Sequence, residues 1–309
     1  MSSSEITSFD REYQALKSGR AVLELAGWSS ISVTGADRQA FLTNFCTNDI
    51  KRLVPGASCE AFFTNVKGRI VGQGWINCRD NELVIVGTPG QGPRLVEHLD
   101  RYVIREDVKL RDTTGERTLL LVAGNGRLET SHESIPFKII SRDDTSLCEL
   151  RSRNAASVVR EFVERGFVAV RPAVFLATRI EAGVPLFGID FDENNLPQEV
   201  GRDKEAISFT KGCYLGQETV ARIDALGHVN QQIVGIRFYR SELPKPGTEV
   251  ALHGAKVGEV TSAAISPTLR APLALAMVRR EANATGTKLQ SPVGECEVVK
   301  MPVAIGMKA

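Results

Sequence analysis

Apolar residues recur along this chain in short runs of two periodicities, and glycine, proline and asparagine punctuate them. The helical period predicts helices over 9–16, 36–45, 89–103, 154–165 and 173–182, the fourth with Val158, Val159, Phe162 and Val163 on its apolar side. Alternating or fully apolar runs predict strands at AVLEL and SISVTG around Gly27, and at 82–86, 108–111, 118–123, 137–141 and 147–150. Residues 61–77 read as strand, turn, strand, with Lys67 and Gly68 at the turn. After a helix opening near Gln217 and running to 223, the character changes. QQIVGIRFY, TEVALHG, KVGEVTSAAIS, LALAMVRR and CEVVKMP are short strand-like runs parted by Gly and Pro, the pattern of a small β-barrel or sandwich. The boundary is expected near 226–230, dividing an α+β part at 1–227 from a β domain at 228–309.

The loop GVPLFGIDFDENNLPQEVG at 183–201 is too long and too rich in Gly and Pro for a plain connection. Unstructured loops of this length are usually functional or covered, so it is not a linker. Its acidic run at 190–193 lacks the alternating ligands and terminal Glu of a calcium loop and reads as a solvated surface.

Length and composition add bounds. At 309 residues the chain exceeds a single small core, and 42% hydrophobic with 24% charged residues is the balance of a water-soluble globular protein. Lys and Arg number 38 against 37 Asp and Glu, so no global field favours nucleic acid. No apolar stretch reaches the ~20 residues of a membrane helix. The start, MSSSEITSFDREYQ, has no apolar signal region, and the expectation is a reducing cytoplasm.

Chemistry concentrates at KGCYLGQETVAR, residues 211–222. The six cysteines, Cys46, Cys59, Cys78, Cys148, Cys213 and Cys296, contain no CxxC pair, so no metal site is expected and five of them read as small hydrophobes. Cys213 differs because glycines and polar residues surround it just before a helix, where amides and Lys211 favour a thiolate. Glu218 and Arg222, four apart, are placed to pair on one helical face. Elsewhere, Arg179 and Glu181 close an apolar helix as either a solvated end or a buried recognition pair. A carboxylate there can accept two hydrogen bonds from an aminopyrimidinone edge. Asn65, beside the turn of 61–77, is either turn chemistry or a buried amide facing a ligand. His98, His132, His228 and His253 are too scattered for a metal or acid–base site, and no GxSxG, HExxH or GxxxxGKT occurs.

RIEAGVPLFGIDFDENNLPQEVG, KGCYLGQETVAR and VGEVTSAAISPTLRAPLALAMV together resemble the folate-binding YgfZ proteins, relatives of the glycine-cleavage T-protein. The likeness runs from VLEL and VTGADRQAFLTNFCTNDI to the end of the chain. It implies three domains in a ring, two interleaved mixed α/β units and a C-terminal β-barrel, with tetrahydrofolate or a one-carbon derivative at the centre. It further implies that Glu181 contacts the pterin, that Asn65 and Arg179 lie by the folate, and that Tyr214, Gln217, Glu218 and Arg222 belong to the same cofactor-facing set. Cys213 and Lys211 match the signature whose implied role is assembly or repair of iron-sulfur clusters, which would make cluster-assembly proteins or cluster-dependent enzymes the partners.

One departure bears on mechanism. T-proteins follow the hairpin turn with paired aspartates, one of which acts on the folate nitrogen during aminomethyl transfer. Here GRIVGQGW places Gly72 and Gln73 at those positions, and neither can shuttle a proton. A folate-binding protein of iron-sulfur metabolism is therefore expected first, a folate-dependent one-carbon transferase second, and a non-catalytic scaffold third.

Overall fold

The computed structural model describes residues 3–124, 134–136, 145–150 and 154–303. The expected strand at 137–141 and His132 lie outside them. The chain builds two mixed α/β units whose strands interleave in sequence, then a closed barrel, as the fold class inferred from sequence requires.

Helix α1 (Ser3–Ser18) leads into β1 (Arg20–Glu24), the first strand of one sheet. The chain then leaves to build the whole of a second sheet. This comprises β2 (Ser29–Thr34), β3 (Ser58–Thr64), β4 (Ile70–Cys78), β5 (Leu83–Gly87) and β6 (Lys109–Asp112), with α2 (Arg38–Thr43) and α3 (Gln91–Asp100) between them. Its strand order is β3-β4-β5-β2-β6. The chain returns to the first sheet with β7 (Thr118–Gly124), β8 (Ser134–Pro136), β9 (Thr145–Leu150) and β10 (Val168–Ala169), giving the order β10-β1-β7-β9-β8. Helix α4 (Ala155–Glu164) covers this sheet with Val158 and Phe162.

Helix α5 (Pro172–Ala182) carries RIEA at its end and stops where Gly183 adopts φ +68°. Beyond the 183–201 segment come α6 (Asp203–Ala206) and α7 (Gln217–Leu226). Six strands then close the barrel: β11 (Gln231–Phe238), β12 (Glu249–Leu252), β13 (Ala255–Ser266), β14 (Ala271–Arg279), β15 (Lys288–Ser291) and β16 (Gly294–Val299). Strand β15 has no counterpart among the expected runs, because KLQS alternates too briefly to stand out. One apolar cluster spans all three units, joining Phe62 of β3, Ile180 of α5, Phe187, Val220 of α7 and Leu275 of β14.

Glu181 is the polar counterpart of that shared core. It is 2% exposed, and Oε2 accepts from the Tyr13 hydroxyl of α1 at 2.5 Å while Oε1 accepts from Ser266 Oγ at 2.5 Å and Thr268 N at 3.0 Å. Lys17 Nζ stands 3.7 Å away. These partners come from α1 and the β13–β14 turn, so one carboxylate fastens the start of the chain to the barrel. Removing it strands several buried donors, which costs more than losing an exposed pair. We expect Glu181→Ala to lower unfolding free energy by about 2–4 kcal/mol, whereas Arg111→Ala, which breaks the exposed pair with Glu116, costs under about 1 kcal/mol. Urea denaturation of the two variants checks the order, and equal losses would refute it.

Candidate functional site at the junction of the three units

A cavity of about 750 Å³ opens where α5, the second sheet and the barrel meet. Trp28 and Phe175 form an aromatic wall, with ring centroids 6.2 Å apart at 70°. Thr88 and Pro89 enter from the end of β5, Leu186 and Ile189 from the 183–201 segment, and Thr261 to Ala263 from β13. Arg179 also lines it, at 1% exposure. Its Nη1 donates to Asp190 Oδ2 at 2.7 Å and to the Val184 carbonyl at 3.1 Å, while buried Nη2 has no partner among the described residues. A buried guanidinium nitrogen without an acceptor is costly, so an acceptor-bearing ligand or a water would stabilise the site. A flat heterocycle edged with carbonyl oxygen fits these walls chemically.

Asp190 corrects the expectation of a solvated acidic run. It is 3% exposed, and besides Arg179 it accepts from Leu186 N at 2.9 Å, Thr261 Oγ1 at 2.7 Å and Ser262 Oγ at 2.6 Å. Only Asp192 and Glu193 of the run face solvent. Glu181, two positions from Arg179, is turned into the α1 and β13–β14 contacts described above, and it is not among the cavity's lining residues.

Asn65 closes the hairpin tip. β3 ends at Thr64, and Asn65 Oδ1 accepts from Lys67 N at 2.9 Å and Arg69 N at 3.1 Å, an Asx turn. Gly72 and Gln73 follow on β4. A Cβ at Gly72 would lie 2.6 Å from Leu95 Cδ2 and 2.9 Å from Gln91 Oε1, so a larger residue needs these two side chains to shift. Gln73 is fully buried. Its amide donates to Glu60 Oε1 at 2.7 Å and the Pro185 carbonyl at 3.3 Å and accepts from Phe187 N at 3.1 Å. Its side chain holds the 183–201 segment in place. Thr88 grips the same segment by donating to the Phe187 carbonyl at 2.7 Å.

The KGCYLGQE segment packs on the far edge of the same sheet. Lys211 is 9% exposed and its ammonium donates to the carbonyls of Thr43, Cys46 and Asn48 at 2.5, 2.7 and 2.8 Å. Burial pulls its pKa below the usual lysine range. The ammonium also lies 4.8 Å from the centre of the Tyr214 ring, whose hydroxyl burial pushes up. Gln217 Oε1 accepts from Tyr214 N at 3.2 Å. Cys213 is exposed, between these buried anchors and the start of α7. Glu218 and Arg222 are both exposed on α7 and form no ion pair with each other among the described residues. Thr64 Oγ1 donates to the Leu215 carbonyl at 2.5 Å, and a Cβ on Gly216, at φ +81°, would collide with the Asn65 carbonyl. The hairpin tip and the cysteine loop are thereby seated on each other. Of the residues singled out from sequence, Arg179 alone lines the cavity, whereas Lys211, Tyr214 and Gln217 contact one another in the segment that carries Cys213, with the Lys211 ammonium turned to the Thr43, Cys46 and Asn48 carbonyls.

Sequence reasoning missed Trp28, Phe175, Thr88 and Asp190. Trp28, one of two tryptophans and placed in a turn, was the available signal. No group of three or more His, Cys, Asp and Glu able to hold an ion occurs among the described residues.

Comparison with known proteins matches two family models. Residues 3–128 fit the GCVT N-terminal domain, and residues 231–304 fit the glycine cleavage T-protein C-terminal barrel domain. The chain is T-protein-like. Its relatives include a chloroplastic protein of Arabidopsis thaliana, At1g60990, that carries a provisional transferase name, 26% identical over 83% of this chain. The match spans 65% of that relative's length. The aminomethyltransferase of Rippkaea orientalis is 24% identical over 94% of this chain and 88% of its own. The crystal structure of glycine cleavage system aminomethyltransferase T from Bartonella henselae superposes with a TM-score of 0.81 at 17% identity, covering 95% of this chain and 89% of that one, a likeness of fold. No helix among the described residues of this T-protein-like chain is long and apolar enough to cross a membrane.

Titration adds a feature near the cysteine loop. Asp203 of α6 has a buried Oδ1 without a partner among the described residues, and burial, then Asp224 of α7 and Glu205, push its pKa up to about 6. The folded state therefore holds this proton more tightly than the unfolded chain, whose aspartate titrates near 3.9. Its contribution is most favourable below about pH 4 and is lost as pH rises to about 6. We expect Asp203→Asn to flatten that decline and to raise stability at pH 7 by about 1–2 kcal/mol, after allowance for partial exposure. Urea melts at pH 4 and pH 7 check it, and an unchanged pH slope would refute it.

Proposed function

We propose that this protein binds a reduced folate in the cavity beside Arg179 and supports iron-sulfur cluster assembly or repair through Cys213, without aminomethyl transfer. The observation that carries the reading is Gln73. An amide engaged by Glu60, Pro185 and Phe187 occupies the position where a proton-transferring carboxylate would be needed, while the neighbouring cavity retains the aromatic wall and acceptor-seeking guanidinium that suit a pterin. Folate, when bound, supplies a nitrogen that carries one-carbon groups. The chain's own residues supply binding and orientation: Trp28 and Phe175 an apolar face, Arg179 Nη2 a donor, and Asp190 the fixed angle of the guanidinium.

YgfZ membership and the cluster role rest on the KGCYLGQE segment. An exposed thiol on a loop held by Lys211 and Gly216 is suited to transient contact with a cluster or a protein carrying one. Its partners in this reading are cluster-assembly proteins or cluster-dependent enzymes, and its compartment is the cytoplasm. The aminomethyltransferase names of the relatives favour a second reading, one-carbon transfer in which another group handles the proton.

Calorimetric titration with tetrahydrofolate, followed by turnover assays with aminomethyl and methylamine donors, separates the two. Saturable binding with no turnover is expected, and turnover would replace the proposal with the transferase reading. In cells lacking the native gene, Cys213→Ala is expected to leave cluster-dependent enzyme activities as low as no complementation at all. Full recovery would remove the thiol from the proposal and leave folate binding standing.

A further inference from the structure

The hydroxyls around the cavity beside Arg179 have already spent their protons. Thr261 Oγ1 donates to Asp190 Oδ1 at 2.7 Å or to the Leu275 carbonyl at 3.1 Å, and Ser262 Oγ donates to Asp190 Oδ1 at 2.6 Å. Thr88 Oγ1 donates to the Phe187 carbonyl and accepts from Gln91 Nε2 at 2.8 Å. All three residues line the cavity, and a hydroxyl whose single proton is committed to the protein has only lone pairs to offer a ligand. The donor left over is Arg179 Nη2.

Charge sorts the same way. Arg179 and Lys245 are the ionisable side chains among the described residues that line the cavity, and no aspartate or glutamate is among them. Asp190 answers Arg179 at 2.7 Å from behind, and its oxygens also accept from Leu186, Thr261 and Ser262. Lys245, exposed at the lip, has no ion-pair partner among the described residues. A ring that enters as a cation therefore meets an unmatched cation and no free carboxylate, and burying a charge without a partner is costly.

We propose that Arg179, Thr261 and Ser262 determine specificity: the cavity reads the oxygen at position 4 of a pterin ring and rejects a ring that carries an amino group there. The inference rests on the folate reading and names the head group that this site selects. A 2-amino-4-oxo ring is neutral, its carbonyl accepts from Arg179 Nη2, and its N–H groups meet hydroxyl lone pairs. Exchanging the oxygen for an amino group sets donor against donor at Arg179. The resulting 2,4-diamino ring is also more basic, and a proton on its ring nitrogen brings a cation to a wall that has no carboxylate to pair it. The selection works through the groups a wrong ring leaves unpaired as much as through the contacts a right one makes.

Tetrahydrofolate and its 4-amino counterpart, tetrahydroaminopterin, carry the same tail, so their difference in affinity reports on the ring alone. In calorimetric titrations of the wild-type protein the 4-oxo form is expected to bind at least about tenfold more tightly, the cost of one buried donor left without an acceptor. Arg179→Lys keeps a cation opposite Asp190 and removes the second nitrogen of the fork, and the preference should fall below about threefold. Leu243→Asp supplies the missing acid at a wall residue that is 42% exposed, a site where the fold tolerates it, and should raise the affinity for the 4-amino form about threefold. A wild-type preference under about tenfold, or one that Leu243→Asp or a folded Arg179→Lys leaves intact, overturns the selection alone. Binding of neither form to the wild type overturns the folate reading itself.

Discussion

The junction of the three units depends on one buried ion pair. Arg179 and Asp190 lie 2.7 Å apart with almost no exposure, and between them they bind the end of α5, the 183–201 segment and strand β13. Desolvating two charges is expensive, and such a pair adds little net stability over apolar residues of the same shape. Its value lies in definition. Asp190 accepts from four donors at fixed places, so the segment that walls the cavity has one low-energy position. Apolar packing of Phe187 and Phe191 alone would leave that position less determined. The unpartnered Nη2 is the residue of this arrangement that points to a ligand.

The same segment is fastened on its other side by neutral amides. Gln73 donates to Pro185 and accepts from Phe187, and Thr88 donates to Phe187, so the second sheet meets the segment through hydrogen bonds without bringing a further charge to the cavity. A carboxylate in place of Gln73 would face Glu60, already 2.7 Å from the amide nitrogen, and like charges at that distance disfavour both ionised forms. Arg202, bound to Glu60 at 2.5 Å, answers one acid but has no counterpart for a second. The neighbours thus suit residues without an acid here: Gly72 lies close to Leu95, and Gln73 is matched to Glu60.

Much of this was legible in the sequence. Periodicity located the helices and strands around the interleaved sheets, and the switch to short β runs after α7 announced the barrel, because both signals are local. Chemistry carried by long-range contacts was not legible. Asp190 looked like one acid among several in a polar loop, and only its meeting with Arg179 and two hydroxyls of β13 makes it interior. Asn65 and Glu181 show the converse. Each has the right residue type for a ligand contact, yet turn amides occupy the Asn65 carbonyl oxygen, and Tyr13, Ser266 and Thr268 donate to Glu181. Residue type fixes what a group can bind, whereas tertiary neighbours decide whether that capacity is left over.

What is left over separates into two places on one sheet. Thr64, which holds the cysteine loop, and Thr88, which holds the cavity wall, both leave the sheet at the same end because β3 and β5 run in the same direction with β4 between them. Two strand spacings across and two residues along put them about 12 Å apart. Strand β4 bridges the interval, with the hairpin tip seated on Gly216 at one side and Gln73 gripping the 183–201 segment at the other. Strand β4 therefore touches both the 183–201 segment, through Gln73, and the tip on which the Cys213 loop rests. The β3–β4 hairpin is thus the element that packs against both the cavity wall and the cysteine loop.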